Sequence, residues 1–369
     1  MNKIKVMTVF GTRPEAIKMA PLVQELEKRE EIESIVCVTA QHREMLDQVM
    51  TTFNIKADYD LNIMKQNQTL GEITCNALIG LDNVIKEVKP DIVLVHGDTT
   101  TTFVGGLAAF YNQVAIGHVE AGLRTHNKYS PYPEEMNRQM VDCMTDMFFA
   151  PTKLSATNLI NEGKSEEKIY ITGNTVIDAM KTTVDDNYKH EVLDWVGDSR
   201  MILLTAHRRE NLGEPMYNIF KAVKRIVDEF EDVKVVYPIH LNPKVRAIAN
   251  EVLNGSDKVK LIEPLEVFDF HNFQNKSYII LTDSGGIQEE APSLGKPVIV
   301  LRDTTERPEG IEAGTLKLSG TDEEKIYELT KELLSDKDVY NQMSKASNPY
   351  GDGHASKRIV DAIIEKFKK

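Results

Sequence analysis

Short apolar runs alternate with longer amphipathic segments along most of this chain, and that alternation limits the folds open to it. Residues 4–10 form the first run, and residues 14–28 follow with apolar side chains at helical spacing. Continuous apolar strands are expected where both faces of a sheet are covered. The order therefore predicts an α/β fold of doubly wound parallel sheets. Further strand-like runs lie at residues 34–39, 91–95, 114–119, 147–150, 201–205, 233–238, 259–262, 278–282 and 298–301.

The strand-like runs fall into two series separated by a polar stretch. That stretch, residues 183–199, carries the only tryptophan, Trp195. Since a domain takes roughly 100–200 residues, 369 residues accommodate two. We expect a Rossmann-like domain at residues 1–170, a second at 171–354, and a C-terminal helix at 355–369 that packs back on the first.

Composition excludes several classes of function. A net charge of −13 and a pI near 5.3 disfavour nucleic-acid and anionic-membrane partners, because such binding needs basic surface. The N-terminus lacks the pattern of a signal peptide, and no apolar run has bilayer-spanning length, so we expect a cytoplasmic protein. The cysteines show no metal or redox spacing and are predicted to be free, buried thiols, with no metal site. They are Cys37, Cys75 and Cys143.

Acidic side chains follow the strand-like runs of the first series. Open parallel sheets bind ligands at the carboxyl ends of their strands, so residues directly after strands are the informative ones. Asp98 and Glu120 lie at such ends, and Glu134 begins a helix. Asp98 could serve only as a helix cap, and Glu134 only to stabilise a helix dipole. Taken together, the three acids are expected to converge, and paired carboxylates there can act as acid and base.

Basic side chains follow other strands. Arg13, at a strand-to-helix turn, suits a phosphate or carboxylate, and Lys18 lies about one turn further on. His207 and Arg208 follow the first strand of the second series and suit a diphosphate. His240 follows the next strand and could equally be structural.

A glycine pair precedes a helix in the second series. Ser284, Gly285 and Gly286 end a strand, where backbone amides can approach an anion at the helix start. Glu290 could reach ribose hydroxyls, and Arg307 is a further candidate. Residues 10–18 lack the second glycine of a dinucleotide fingerprint.

These segments together resemble the non-hydrolysing UDP-N-acetylglucosamine 2-epimerases of bacteria. The resemblance runs from residues 10–18 to 348–353, and residues 96–100, 283–295 and 302–308 carry most of it. It implies two Rossmann-like domains of the glycosyltransferase-B type with a site in the interdomain cleft.

The resemblance also implies the reaction. Family members interconvert UDP-N-acetylglucosamine (UDP-GlcNAc) and UDP-N-acetylmannosamine (UDP-ManNAc) without a nicotinamide or other cofactor. The reaction supplies N-acetylmannosamine for cell-surface polysaccharide. Our hypothesis is elimination of UDP to 2-acetamidoglucal, followed by re-addition. The implied catalytic residues are Asp98, Glu120, Glu134 and His207. The implied substrate contacts are Arg13, Lys18, Phe270, Ser284, Gly285, Gly286, Glu290 and Arg307.

Some members bind a second UDP-GlcNAc as an activator, and Gln41, Arg208 and His240 match that site. Asn67 stands where some members have arginine, and Glu44 stands where some have glutamine. These two departures weaken the case for activation here. The family also implies a homodimer. The alternatives are a retaining glycosyltransferase of the same fold, a hydrolysing epimerase and a sugar-nucleotide sensor without turnover.

Overall fold

The computed structural model describes residues 3–40, 43–65, 68–305 and 307–368, apart from the side chains of residues 44 and 45. The chain divides into two compact units, residues 1–182 with 350–369 and residues 183–349. A boundary after residue 170, as expected from the sequence, would assign residues 171–182 to the second unit instead.

The first unit is built on a parallel sheet with the strand order β3-β2-β1-β4-β5-β6-β7. Its strands are β1 (Ile4–Phe10), β2 (Ile32–Val38), β3 (Tyr59–Asp60), β4 (Ile92–His96), β5 (Ala115–Val119), β6 (Met147–Ala150) and β7 (Ile169–Ile171). Its helices are α1 (Arg13–Glu27), α2 (Arg43–Thr52), α3 (Leu70–Val88), α4 (Thr100–Tyr111), α5 (Glu134–Met144), α6 (Lys153–Asn161) and α7 (Thr175–Thr183), with a 3₁₀ turn at Glu166–Lys168.

The second unit is a smaller parallel sheet with the order β10-β9-β8-β11-β12-β13. Its strands are β8 (Arg200–Thr205), β9 (Val233–Pro238), β10 (Val259–Ile262), β11 (Ile279–Thr282), β12 (Val298–Val300) and β13 (Leu316–Leu318). Its helices are α8 (Glu191–Val196), α9 (Glu214–Glu229), α10 (Pro243–Leu253), α11 (Val267–Lys276), α12 (Gly285–Glu290), α13 (Pro308–Glu312), α14 (Glu323–Ser335) and α15 (Lys337–Ser344), with 3₁₀ turns at Arg209–Asn211 and Ala291–Leu294. Helix α16 (Ala355–Phe367) returns to the first unit.

Both sheets are apolar on both faces, as the continuous apolar runs predict. In the inner strand β1, Val6, Met7 and Val9 are fully buried, and in β8 Leu203 and Leu204 are fully buried. Helices cover the two faces of each sheet because every strand connection is a crossover between parallel strands. The predicted α/β class with two parallel-sheet units is confirmed.

The cysteine prediction is only partly right. Cys37 lies buried in β2, and burial raises the pKa of its thiol to about 12. Cys75 and Cys143 are also free, but the prediction that they are buried is wrong, because they lie on exposed faces of α3 and α5. Among the described residues, no helix combines the length and apolarity that a membrane span requires.

Candidate active site

Glu120 is the best-supported site residue of the first unit. It follows β5 directly and has a left-handed backbone, with φ of 66°. Its Oε2 accepts hydrogen bonds from the Lys18 ammonium and from the Asn174 side-chain amide, the latter at 2.9 Å. The side chains of Glu120 and Lys18 are 10% and 16% exposed, so this ion pair is largely shielded from water.

Asp98 follows the neighbouring strand β4 and has its own cation. Its carboxylate accepts a hydrogen bond from the Arg138 guanidinium, and its carbonyl accepts one from Asn137 at 3.0 Å. Its neighbour Thr99, and not Asp98, caps α4 by accepting from the Thr102 amide at 3.1 Å. The helix-cap interpretation of Asp98 is therefore wrong.

A buried carboxylate connects the loops that carry Arg13 and Asp98. Glu15 accepts hydrogen bonds from the Gly11 and Thr12 amides at 3.1 and 2.8 Å, and from the Thr99 hydroxyl at 2.7 Å. Burial raises its pKa, although these hydrogen bonds oppose the shift. Because one side chain ties both loops, Arg13 at the start of α1 is held relative to the end of β4.

Two buried histidines lie on adjacent strands and differ in their partners. The His118 ring hydrogen-bonds through Nδ1 to Asp142 at 2.6 Å and through Nε2 to the Gly97 carbonyl at 2.7 Å. His96, the last residue of β4, has its Nε2 at 3.7 Å from the Glu120 carboxylate. Burial lowers the pKa of His96 to about 3, so its ring is neutral at physiological pH.

Glu134 begins a helix, as the sequence predicts. It does not follow a strand directly but is the first residue of α5, the helix that also carries Asn137 and Arg138. It is partly exposed, and the next residue, Glu135, is fully buried and accepts from the Thr125 amide at 3.0 Å. Helix α5 thus places Glu134 on the same element as both partners of Asp98.

In the second unit, Asp283 fixes the loop that carries His207. It is fully buried after β11 and accepts hydrogen bonds from the His207 and Arg208 amides at 2.8 and 2.9 Å. The His207 ring stacks on His240, with ring centroids 5.3 Å apart. Burial and the adjacent His207 lower the pKa of His240. His207, Arg208 and His240, predicted at the ends of two strands, therefore lie at the same end of the sheet.

Gly285 lies against Arg307. A Cβ atom at residue 285 would lie 2.5 Å from the Arg307 guanidinium, so a larger residue would displace that group. Arg307 Nε donates to the buried Glu289 at 2.6 Å. The helix after Ser284 is short, since α12 ends at Glu290.

A side chain of α11 holds the carboxylate of Glu290. It accepts a hydrogen bond from the Gln274 side chain at 2.7 Å and lies 3.8 Å from the ring of buried His271. A Cβ atom at Gly286 would lie 3.4 Å from its Oε1. Phe270, on the same helix, is half-buried and packs against the core of the second unit.

Some predicted residues cannot be placed. Gln41 and Asn67 lie outside the described residues, as does the side chain of Glu44. Arg208 and His240, the other residues of the expected activator site, are both in the second unit. In the described part of the chain, no group of three or more His, Cys, Asp or Glu side chains is arranged to hold a metal ion.

Sequence reasoning missed several supporting residues. Arg138 holds Asp98, Asn174 holds Glu120, and Asp283 holds the His207 loop. The spacing of Arg138, one helical turn after Glu134, was a usable signal. Asn174 carried none, because its contact depends on where the chain returns 54 residues later.

This fold and site define an α/β enzyme of the two-unit Rossmann-like class, with strand-end carboxylates in one unit and an arginine–histidine set in the other. Residues 24–364 match the family described as UDP-N-acetylglucosamine 2-epimerase. A UDP-N-acetylglucosamine 2-epimerase of Bacillus subtilis (strain 168) is 70% identical over 364 residues, which cover 99% of this chain and 96% of the relative. The chain belongs to this family.

Solved structures of this family resemble the chain over nearly its whole length. A crystal structure from Listeria monocytogenes is 59% identical, with a TM-score of 0.96, and the match covers 99% of this chain and 97% of that one. A UDP-GlcNAc 2-epimerase from Neisseria meningitidis, solved bound to UDP-GlcNAc, is 51% identical with a TM-score of 0.88. That match covers 98% of this chain and all of the other.

Proposed function

We propose that the protein interconverts UDP-GlcNAc and UDP-ManNAc by inverting carbon 2 of the sugar. The observation that carries the proposal is the setting of Glu120, a shielded carboxylate held by Lys18 and Asn174 beside the strand that leads to Asp98. The UDP-GlcNAc complex of the Neisseria relative supports the same sugar nucleotide here.

The chemistry begins with the bond from carbon 1 to UDP. The proton on carbon 2 is not acidic, since no carbonyl is attached to that carbon. As the bond to UDP breaks, positive charge grows on carbon 1 and the proton becomes acidic. A carboxylate takes the proton, the C–H electron pair forms the C1=C2 double bond of 2-acetamidoglucal, and UDP leaves with the C–O pair.

Re-addition reverses these steps on the other face. An acid delivers a proton to carbon 2, and the UDP oxygen attacks carbon 1. Asp98, Glu120 and Glu134 supply the acid and base. Lys18 orients the carboxylate of Glu120, and Arg138 orients that of Asp98.

The second unit binds the nucleotide. His207, Arg307 and the backbone at Gly285 and Gly286 stabilise the negative charge that develops on the diphosphate. Glu290 accepts hydrogen bonds from the ribose hydroxyls. Arg13 is a further candidate for a phosphate contact, because its guanidinium offers several donors.

Carboxylate variants test the proposal. Asp98→Asn, Glu120→Gln and Glu134→Gln remove the charge with little change of shape. Since general acid–base catalysis contributes about 10²–10⁴-fold, we expect losses of that order in UDP-ManNAc formation from UDP-GlcNAc. Glu33→Gln, an exposed carboxylate on the same sheet, is the control. Near-normal turnover in all three variants would remove these carboxylates from the chemistry.

We also propose a homodimer, which is consistent with the family. Helices α3 and α4 pack against each other and carry exposed apolar side chains, Ile79, Phe110 and Tyr111. Exposed apolar side chains that form a contiguous patch commonly mark protein interfaces. Sedimentation velocity should report a dimer for the wild type and a monomer for Phe110→Ser/Tyr111→Ser. A monomeric wild type would contradict the proposal.

A further inference from the structure

His96 is a buried histidine that takes no part in the proton transfer described above. It is 3% exposed, and neither ring nitrogen has a hydrogen-bond partner among the described residues. Buried polar groups in native proteins are nearly always hydrogen-bonded, so an orphan imidazole calls for a functional reason. His118, on the adjacent strand, is equally buried and bonds through both nitrogens.

The group next to the His96 ring is the carboxylate of Glu120. The distance from His96 Nε2 to Glu120 Oε2 is 3.7 Å, which is longer than a hydrogen bond. The same oxygen accepts from Lys18 and Asn174. A shift of less than about 1 Å would bring it within hydrogen-bond distance of His96 as well.

The charge state of His96 limits its role. Burial lowers the pKa of the ring to about 3, and the nearby Glu120 only partly offsets this. A neutral imidazole can donate one N–H bond to a carboxylate but has no proton to give in acid catalysis at neutral pH. The ring is therefore suited to orienting Glu120 rather than to replacing it.

We propose that His96 is a positioning residue, whose Nε2–H donates a hydrogen bond to Glu120 when the sugar nucleotide is bound. Catalytic hydrogen bonds are often long and tighten only in the complex with substrate. The bond then holds the carboxylate in line with carbon 2 during proton transfer. This inference rests on the proposed epimerase function.

Two amide substitutions test it. The side-chain amide of His96→Gln reaches the position of Nε2, whereas that of His96→Asn stops near Nδ1. Both keep a side-chain amide at the buried position, and they differ by one methylene group. We expect His96→Asn to lose about 10–100-fold in kcat with KM within about threefold, because a misplacement near 1 Å can cost 10²-fold. His96→Gln should recover most of that loss.

The outcomes separate the two claims. A wild type that forms no UDP-ManNAc overturns the proposed function and this inference with it. An active wild type with equal kcat in the two variants overturns the positioning role alone, as does a loss confined to KM. Thermal melting of both variants accompanies the kinetics, and a kcat difference that only follows their stability also contradicts the role.

Discussion

At the scale of single residues, the site depends on a glutamate, Glu120, whose backbone is strained. Glu120 has φ of 66°, a region that residues other than glycine rarely adopt and that costs on the order of 1–3 kcal/mol. Lys18 and Asn174 hold it there through Oε2. Strain of this kind persists where the surrounding contacts require it, and here those contacts fix the direction of a carboxylate.

Lys18→Met tests whether the ion pair serves catalysis. Methionine keeps much of the side-chain volume but leaves the shielded carboxylate without its cation, so we expect kcat to fall by at least about tenfold. The measurement is the initial rate of UDP-ManNAc formation at saturating UDP-GlcNAc. Lys28→Met, at the exposed end of the same helix, should stay within about twofold of the wild type.

A double-mutant cycle checks the mechanism of that loss. In a Glu120→Gln background there is no charge for Lys18 to orient, so Lys18→Met should cause little further loss. Additive losses from the two substitutions would contradict the coupling.

The strand-end rule predicted the positions of acidic residues correctly where neighbouring strands decide the geometry. Asp98 and Glu120 follow β4 and β5, which pair directly. The sequence alone was therefore enough to predict that they lie at neighbouring strand ends. Lys18 was predicted as a substrate contact, and its bond to Glu120 spans 102 residues of sequence. No local pattern encodes a contact of that range.

At the scale of elements, long apolar runs were predictable and short edge strands were not. The predicted runs 4–10, 147–150, 233–238 and 259–262 coincide with β1, β6, β9 and β10. Strands β3, β7 and β13 were not predicted; they have two or three residues each and lie at the sheet edges. Runs of two or three residues are too short to show a hydrophobic period. Most of their side chains are at least partly exposed, so these runs are also not strongly apolar.

The start of α16 depends on a carboxylate from α7. Asp178 accepts from the Ala355 and Ser356 amides at 3.1 and 2.8 Å, which satisfies two otherwise unpaired donors. Asp178→Ala should therefore lower the free energy of unfolding by about 1–3 kcal/mol, measured by urea denaturation.

Asp361→Ala is the matched control for α16. Asp361 forms a surface ion pair with Arg29 at 2.8 Å, and such pairs contribute about 0–1 kcal/mol. If both substitutions cost the same, the cap at Asp178 has no special role.

At the scale of the whole molecule, His96 should make stability depend on pH. Its folded pKa is about 3, and its unfolded value is about 6.5. Between these values the unfolded chain binds a proton that the folded chain does not, so the free energy of unfolding falls as pH drops below about 6.5. The slope from one such group is at most about 1.4 kcal/mol per pH unit.

His96→Gln isolates this contribution. His271, whose pKa burial also lowers, contributes in the same direction and is unchanged in the variant. Denaturation curves between pH 4 and about 7 should therefore show a shallower pH dependence for His96→Gln than for the wild type. Parallel curves would mean that His96 binds its proton equally well in both states.

Proton transfer at carbon 2 is the central claim, and solvent deuterium tests it most directly. The wild-type protein is incubated with UDP-GlcNAc in deuterated water, and the sugar protons are followed by NMR. Elimination and re-addition predict UDP-ManNAc that carries deuterium at carbon 2. UDP-ManNAc that keeps its original proton there would contradict the account, and transfer of the sugar to an acceptor without exchange would instead support a glycosyltransferase.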